Sequence, residues 1–313
     1  MLKVKIIRNF SIVFLCLIII QILRIYPVNK NVKTEHQVSK GVIYMLDDNM
    51  FLSRLDITYA ATNNEDIIKE IIDILTINKD RQNIREGFSP IIPEDTKLLN
   101  LEIIGDNATL DFSKNFLDVD EETEEKLIEA IVYSITALKE INTVTIKVEN
   151  ILLQKLPHSL KKVPSLLDRT FKINKIYDLD SLDGVTSTTV YFPALKNGLK
   201  YYIPVTKYTN SEKEKIEIII DELESSNTYN SNIVNYMNSE TKLINYELLD
   251  KSLFLNFDES IFGDIISQNI VEEVVYSINL SIKDSYQGIE TVMYSVKDNI
   301  INTHFLLLGW VWR

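Results

Sequence analysis

The sequence predicts an α+β fold built from two tandem modules. The stretch TLDFSKNF at Thr109–Phe116 returns in altered form as LFLNFDESIF at Leu253–Phe262, and a Thr-Lys-Leu lies before each copy, at Thr96 and Thr241. Around both copies, strand-like alternation and helix-like periodicity follow each other in the same order. Strands and helices in a repeated order indicate two copies of one small α+β unit.

Each unit is predicted to begin with a β-hairpin. Apolar, β-prone runs start at Val42 (VIYML) and at Thr189 (TVYFP), and turn residues follow them at Asp47–Asn49 and Lys196–Gly198. A second β-prone run comes after each turn, which is the hairpin pattern.

A helix follows each hairpin. Thr62 with Glu65, and Thr209 with Glu212, have the spacing of a capping box, in which a hydroxyl and a carboxylate bind the free amides at a helix start. Helical spacing of apolar residues then predicts one buried face per helix. The residues of these faces are Ile67, Ile68, Ile71, Ile72 and Leu75 in the first unit and Ile216, Ile219, Ile220 and Leu223 in the second.

Two further strands come next in each unit. They are predicted at 97–104 with 108–112 in the first unit, and at 242–249 with 252–257 in the second, joined by turn-type residues.

A second helix and a closing strand complete each unit. The helix carries the motif YSI in both copies, at Tyr133 and Tyr276, and the closing strands are predicted at Thr143–Val148 and Thr291–Val296. The apolar stripes of the two helices are Leu127, Ile128, Ile131, Ile135 and Leu138, and Ile270, Val271, Val274, Val275 and Ile278. Each unit therefore has the predicted order β-β-α-β-β-α-β, with both helices covering one face of a small mixed sheet.

These elements place the modules at 41–150 and 188–299, with a linker at 151–187. The linker contains the stretch LLDRTFKINKIYDL, which is too apolar to be fully solvated, so we expect it to pack on a module. Residues 300–313 form an apolar tail rich in Leu and Trp. Two interpretations of the tail stay open: a final strand or plug over a module's apolar surface, and a partner-binding or membrane-interface segment.

Residues 6–26 are predicted to form a transmembrane anchor, with residues 1–5 in the cytoplasm. Asn9–Leu23 is uncharged, and the long side chains of Arg8 and Arg24 can reach the membrane interfaces. Basic residues before the run favour a cytoplasmic N-terminus, so that everything after the anchor lies outside the cytoplasm. No small-residue cleavage site follows the run.

The single cysteine, Cys16, lies within this apolar run, so an intrachain disulfide is excluded. Lipid attachment to Cys16 is the alternative form of anchoring, although Leu15 stands where a small residue is expected. The formal net charge of -12 and the sequence pI near 4.9 leave no basic face for phosphate contacts. We therefore expect no nucleic-acid partner.

No pattern predicts catalysis, a cofactor or a metal site. His36, His158 and His304 lie far apart, and the sequence has no H-E-x-x-H, no G-x-S-x-G and no phosphate-binding glycine loop. Asp118–Lys126 is acidic but lacks the spacing of an EF-hand. We interpret it as a solvated helix start, with a divalent-cation site as the alternative. We assign no catalytic, cofactor-binding or metal-binding residues, and we expect a protein that is not an enzyme.

The repeated phrase itself is interpreted as a fold signature. Asp111 ends a predicted strand, and its counterpart Asn256 cannot act as a base. Both side chains can accept hydrogen bonds from nearby backbone amides in an Asx-type turn, so a structural role accounts for both.

The stretch from FSPIIPEDTKLLNLEIIGDNATLDFSKNF to TVTIKVEN resembles the GerMN domain family. The family pattern is Pro-x-x-Thr, a strand pair ending in a V-D-L-S-type phrase, a helix, and V-x-x-V-x-I-x-V. The matching residues are Pro93, Thr96, Asp111, Phe112, Ser113, Val144, Ile146 and Val148. The second copy matches less well, because Asn256 replaces the Asp, Asp258 replaces the Ser, and the expected Pro is missing.

Two such modules after a membrane segment resemble the GerM-type proteins of Gram-positive spore formers over about 41–299. The resemblance implies a ring-building-motif-like fold, a role in sporulation and spore germination, and a place between the two membranes around the developing spore. We therefore expect a membrane-anchored scaffold that assembles with envelope-spanning sporulation complex proteins, with the strand-pair face of the first module as the candidate docking surface. A spore peptidoglycan-binding or cell-wall-modifying protein is the alternative.

Overall fold

The computed structural model describes residues 38–78, 85–225, 229–264, 266, 268–286 and 288–301. Both modules belong to one compact unit that begins at Val38. The predicted anchor with Cys16, the histidines His36 and His304, and the tail after Ile301 lie outside the described residues. Among the described helices, none combines the length and the hydropathy needed to cross a membrane.

Each module has two helices and two groups of strands, and one strand lies in the linker. The first module consists of β1 (Ser39–Asp47), β2 (Leu52–Tyr59), α1 (Asn64–Leu75), β3 (Phe88–Ser89), β4 (Leu98–Ile104), β5 (Asn107–Phe112), α2 (Glu124–Ile135), β6 (Thr143–Val148) and β7 (Ile151–Leu152). The linker contains β8 (Lys175–Asp178). The second module consists of β9 (Thr186–Lys196), β10 (Leu199–Thr209), α3 (Lys215–Glu224), β11 (Leu243–Leu249), β12 (Ser252–Phe257), β13 (Phe262–Asp264), β14 (Asn269–Ile270), α4 (Glu272–Ser285), β15 (Thr291–Val296) and β16 (Asn299–Ile301).

The later strands of each module form a four-stranded mixed sheet. The strand orders are β4-β5-β6-β7 and β11-β12-β15-β16. The central pairs β5–β6 and β12–β15 are parallel, and the outer strands pair antiparallel. A helix connects the two parallel strands in both modules, as a parallel crossover requires.

The hairpins do not join these sheets, which differs from the expectation of one small sheet per module. They meet each other instead, in a shared sheet with the order β3-β1-β2-β10-β8, and β9 pairs along β10. The junction is antiparallel, with Arg54 of β2 opposite Tyr202 of β10. The linker strand β8 pairs parallel to the end of β10, so part of the linker packs in the shared sheet.

The helices lie between the shared sheet and the four-stranded sheets. α2 contacts both β1 and β6, and α4 contacts β9. All residues of 127–135 are buried in α2, including Ala130, Val132 and Ser134 on the side away from the predicted stripe. A helix covered on only one face would leave these residues in solvent, so the burial follows from the second sheet.

Two equivalent hydrogen bonds fix the correspondence between the modules. The amide of Tyr44 in β1 donates to Oγ of Ser134 at 3.0 Å, and the amide of Tyr191 in β9 donates to Oγ of Ser281 at 2.9 Å. Ser281 is therefore the counterpart of Ser134. The YSI motif had aligned Ser134 with Ser277, which is one helical turn away from this position.

The two predicted capping boxes are wrong in position. α1 begins after Asn63, whose side chain accepts a hydrogen bond from the amide of Asp66. α3 has a capping box formed by Glu214 and Glu217. Thr209 is the last residue of β10, so its backbone belongs to the sheet and cannot start the helix.

We predict that Ser281→Ala lowers the free energy of unfolding by about 1–3 kcal/mol, because the buried amide of Tyr191 loses its acceptor. The measurement is urea unfolding followed by circular dichroism. Ser277→Ala is the matched control in the same helix, since the Ser277 hydroxyl is buried and has no partner among the described residues. A larger loss for Ser277→Ala than for Ser281→Ala would contradict the correspondence given above.

Candidate functional site

A buried polar network lies where the modules meet, and Arg169 of the linker is its centre. Nη1 of Arg169 donates to Oδ1 of Asp284 at 2.7 Å and to the hydroxyl of Tyr191 at 3.2 Å, and both acceptors belong to the second module. Nε donates to Oγ1 of Thr136 at 3.3 Å and Nη2 to the carbonyl of Tyr133 at 3.3 Å, in the first module. One guanidinium group therefore connects α2 to α4.

Aromatic residues enclose the guanidinium group of Arg169. We use the name junction network for five residues together: Tyr44, Tyr133, Arg169, Tyr191 and Asp284. The guanidinium of Arg169 lies over the ring of Tyr133 at 4.7 Å. The hydroxyls of Tyr44 and Tyr191, which are equivalent residues of the two modules, are 3.2 Å apart, and the Tyr191 hydroxyl donates to Oδ2 of Asp284 at 2.5 Å. Burial raises the pKa of Tyr133 and Tyr191 well above the usual value, so both phenols stay protonated.

The junction network suits a structural role. Both carboxylate oxygens of Asp284 accept hydrogen bonds, so its charge is already neutralised by groups of the protein. Removing one member of such a pair leaves the other charge buried without compensation.

We predict that Asp284→Asn destabilises the protein by about 3 kcal/mol, the lower end of the range for a broken buried pair, because part of Arg169 reaches solvent. Urea unfolding measures the change. Glu290→Gln is the control, since it breaks the exposed Lys251–Glu290 pair and should cost less than about 1 kcal/mol. Equal losses in the two variants would mean that the junction does not hold the modules together.

A cleft of about 390 Å³ lies between α2, the linker and the turn that precedes β2. Its walls combine aromatic, acidic and basic side chains. The lining residues are Phe51, Glu121, Glu122, Glu124, Glu125, Lys126, Glu129, Ser159, Lys161, Asn174, Lys175, Ile176 and Tyr177.

Most of the carboxylates at this cleft have partners within the protein. Glu124 is buried and accepts hydrogen bonds from the amides of His158 and Ser159, at 2.8 and 2.9 Å. The prediction of a solvated helix start is therefore correct for Glu121 and Glu122, which are exposed, and wrong for Glu124. The ring of His158 contacts the carbonyl of Val119 at 2.7 Å. In the described part of the chain, no three His, Cys, Asp or Glu side chains are grouped so as to hold a metal ion.

Deeper in the cleft, two carboxylates share one ammonium group. Lys175 Nζ lies 2.6 Å from Oε1 of Glu125 and 2.9 Å from Oε1 of Glu129. Burial raises the pKa of Glu129 and outweighs the opposing effect of Lys175. Burial also disfavours the charged form of Glu125, but hydrogen bonds from Lys161 and Lys175 outweigh it and lower the pKa of Glu125.

We predict opposite pH dependences for Glu129→Gln and Glu125→Gln. The raised pKa of Glu129 contributes stability that is complete below about pH 4.3 and is lost as pH rises through the folded-state pKa. The wild type should therefore lose stability relative to Glu129→Gln as pH rises from 4. The lowered pKa of Glu125 contributes stability that is present above about pH 4.3 and is lost on acidification, so the deficit of Glu125→Gln should shrink below that pH.

Urea unfolding at a series of pH values from about 3 to 8 measures both differences. The two variants are controls for each other, since the same lysine binds both carboxylates. Two curves with the same sign of slope would contradict the assignment of charges in the cleft.

The repeated phrase holds a turn in each module. Oδ1 of Asp111 accepts from the amide of Asn150 at 2.9 Å, and Oδ1 of Asn256 accepts from the amide of Asp298 at 3.1 Å. The expected Asx-type turn is wrong, because each amide lies in the turn after the neighbouring parallel strand and not in the local chain. Ser113 and Asp258 are also equivalent: each accepts a hydrogen bond from the backbone amide of the Lys that follows the repeated Thr.

The four-stranded sheets differ in the apolar surface that they expose. On β11, Ile244, Tyr246 and Leu248 are 50%, 38% and 52% exposed at alternate positions, and we call these three residues the β11 row. In the first module, Leu101 and Ile103 of β4 are half-buried beneath α1.

The outer faces of the same sheets differ as well. On the first sheet, Thr109 lies opposite Thr145, and Asn107 binds both hydroxyls at 3.1 and 3.3 Å. On the second sheet, Phe254 lies opposite Met293, so the corresponding pair is apolar. The strand-pair face of the first module, the docking surface expected from the sequence, also presents apolar side chains, since Leu99 and Ile104 of β4 are 49% and 66% exposed.

Comparisons with known proteins agree with this architecture. Residues 42–154 match the family described as "Germane: Sporulation and spore germination". The spore germination protein GerM of Bacillus subtilis is 27% identical over 249 residues, which are 77% of this chain and 67% of that protein. The solved structure of the tandem GerMN domains of the sporulation protein GerM from the same organism superposes with a TM-score of 0.75 at 25% identity, covering 84% of this chain and 92% of that one.

The first module therefore matches a sporulation and spore germination family, and the chain is similar to GerM over both modules. The structural match spans both modules, so the GerM-like region includes the weakly matching second copy of the sequence phrase. The tandem α+β fold expected from the sequence is confirmed at this level.

Proposed function

We propose that this protein is a non-enzymatic, membrane-anchored scaffold of sporulation and spore germination. In this proposal residues 6–26 anchor the chain, and the two modules stand outside the cytoplasm, between the membranes of the developing spore. There they assemble with proteins of envelope-spanning sporulation complexes. Relatives that bear sporulation and spore germination names support the biological process.

The observation that carries the proposal is the joining of two modules into one body that exposes an apolar edge. The shared sheet and the junction network hold the modules in a fixed arrangement. The β11 row adds apolar side chains to a strand that, among the described residues, pairs on one side only, with β12. Exposed apolar strand edges are common means of protein association, and a rigid body keeps several such surfaces at set distances.

The charges of the cleft support a non-enzymatic role. A glycoside hydrolase needs two convergent carboxylates that face the substrate. Glu124, Glu125 and Glu129 instead bind backbone amides and lysines of the same chain.

A spore peptidoglycan-binding or wall-modifying protein is the second candidate, and the walls of the same cleft favour it. Tyr177 is 63% exposed there and stacks on Tyr208 with ring centroids 4.8 Å apart. Aromatic faces beside carboxylates and ammonium groups suit a ligand that carries apolar and charged groups together, as glycan strands with peptide stems do.

We predict that crosslinking and pulldown of the tagged full chain from sporulating cells recovers envelope-spanning sporulation proteins. Leu248→Lys should reduce this recovery at least about tenfold, because an ammonium group in an apolar interface loses its hydration. Ile104→Lys is the matched control, an exposed apolar position on edge strand β4 of the first module, and should recover the same proteins as wild type.

Circular dichroism establishes that both variants are folded before the comparison. Loss of partners in Ile104→Lys but not in Leu248→Lys would assign docking to the first module. Recovery of wall fragments alone, abolished by Tyr177→Ala, would overturn the scaffold proposal and favour peptidoglycan binding.

A further inference from the structure

The cleft between α2 and the linker is a preformed cavity, because contacts within the chain fix its walls. Oδ1 of Asn174 accepts from the amide of Leu52 at 2.9 Å, and its Nδ2 donates to the carbonyl of Leu52 at 2.8 Å. Glu124 accepts from the amides of His158 and Ser159. A cavity of about 390 Å³ with fixed walls has the size of a small-ligand site.

Two carboxylates that line this cleft are not neutralised by groups of the protein. Glu121 and Glu122 lie shortly before α2 and are exposed. In the part of the chain that the structure describes, neither side chain forms a hydrogen bond or an ion pair. We call these two residues the free carboxylates.

The lysines of the cleft, in contrast, each have a partner. Lys161 and Lys175 both pair with Glu125, at 2.7 and 2.6 Å, and Lys126 donates to the carbonyl of Met50. An anionic ligand would have to displace these contacts and would then meet the free carboxylates. The charge that the cleft offers to a ligand is therefore negative, and the cleft suits a cation.

Aromatic rings give the same cleft a second means of binding a cation. Tyr177 is 63% exposed, and its ring is held by stacking on Tyr208. Lys175 shows how a ring and a carboxylate bind an ammonium group together, since its Nζ lies 4.1 Å from the centroid of the Phe171 ring and also pairs with Glu125. Tyr177 and the free carboxylates offer this combination to a ligand.

We propose that the cleft binds a lysine side chain of a partner protein. The ammonium group pairs with the free carboxylates, and the aliphatic stem lies along Tyr177 and Ile176 in the wall. A diamino acid that carries a carboxylate beside its amine fits less well, because it would bring negative charge against Glu121 and Glu122. The net charge of -12 also attracts basic partners.

The inference names a partner chemistry for the proposed scaffold function and rests on it, but the two can fail separately. The cleft belongs to the first module and the linker, whereas the β11 row belongs to the second module. Leu248→Lys should therefore reduce partner recovery and leave lysine binding in the cleft unchanged.

Saturation-transfer NMR with the full chain in detergent micelles tests the proposal, and micelles without protein give the background. The probe is the end-blocked peptide Gly-Gly-Lys-Gly-Gly, and the same peptide with norleucine in place of lysine tests the need for the ammonium group. Glu121→Gln with Glu122→Gln should weaken binding of the lysine peptide at least about fivefold, because both charge contacts are lost.

Glu102→Gln with Glu247→Gln is the matched control, since it removes two exposed carboxylates at equivalent positions of β4 and β11. It should change the affinity less than about twofold, because charges outside the cleft are screened by salt. Tyr177→Leu keeps an apolar side chain but removes the ring, and should weaken binding by about twofold or more. Circular dichroism establishes that all variants are folded.

Equal binding of the norleucine peptide would overturn the proposal, and so would an unchanged affinity in the variant that lacks both free carboxylates. Tighter binding of a wall stem peptide that contains a diamino acid, lost in the same variant, would assign the cleft to peptidoglycan and would also overturn it.

Discussion

The antiparallel contact between β2 and β10 is the constraint on which the rest of the structure depends. An isolated two-stranded hairpin is marginal in water, and its outer edges carry unpaired amides and carbonyls. Each hairpin here gives one edge to the other, at Arg54 and Tyr202. The resulting sheet covers α2 and α4 from the side that their own four-stranded sheets leave open. The junction network then lies under this sheet, with Arg169 bound to both modules.

Much of the local structure was predictable from the sequence, because strand alternation and helix periodicity depend on neighbouring residues. The closing strands Thr143–Val148 and Thr291–Val296 agree in both bounds, and the stripe of α1 is buried as predicted. The pairing of the hairpins was not predictable, since a period of two reports which face is buried and not which strand lies alongside. The error in aligning the YSI motifs has a related cause. Apolar residues fill both sides of α2 and α4, so a shift by one turn leaves the apolar pattern almost unchanged.

The candidate site was less predictable than the fold. Arg169 and Asp284 are 115 positions apart, and no motif joins them. The available signal in each case was two adjacent charged residues in an otherwise apolar stretch, LLDRTF and YSINLSIKDS. Such charges indicate a buried partner without identifying it. The acidic stretch at Asp118–Lys126 gave the opposite error, because charge density in the sequence suggests solvent. The structure instead buries Glu124 against the backbone of the linker, which only the tertiary fold brings near.

The shared sheet also limits how the two modules can associate with other molecules. The hairpin edges that an isolated module would offer are paired with each other, with β3, β8 and the segment around Ile233. Among the described strands, the four-stranded sheets are left for association with other molecules. Their outer faces have diverged: the first carries the polar pair Thr109 and Thr145, and the second carries the apolar pair Phe254 and Met293. Two equivalent modules with equivalent surfaces would favour symmetric, repeated contacts, whereas a polar pair on one sheet and an apolar pair on the other make the two modules different. The duplication therefore joins the two modules through the shared sheet, while the divergence of the outer faces gives the two modules chemically different surfaces.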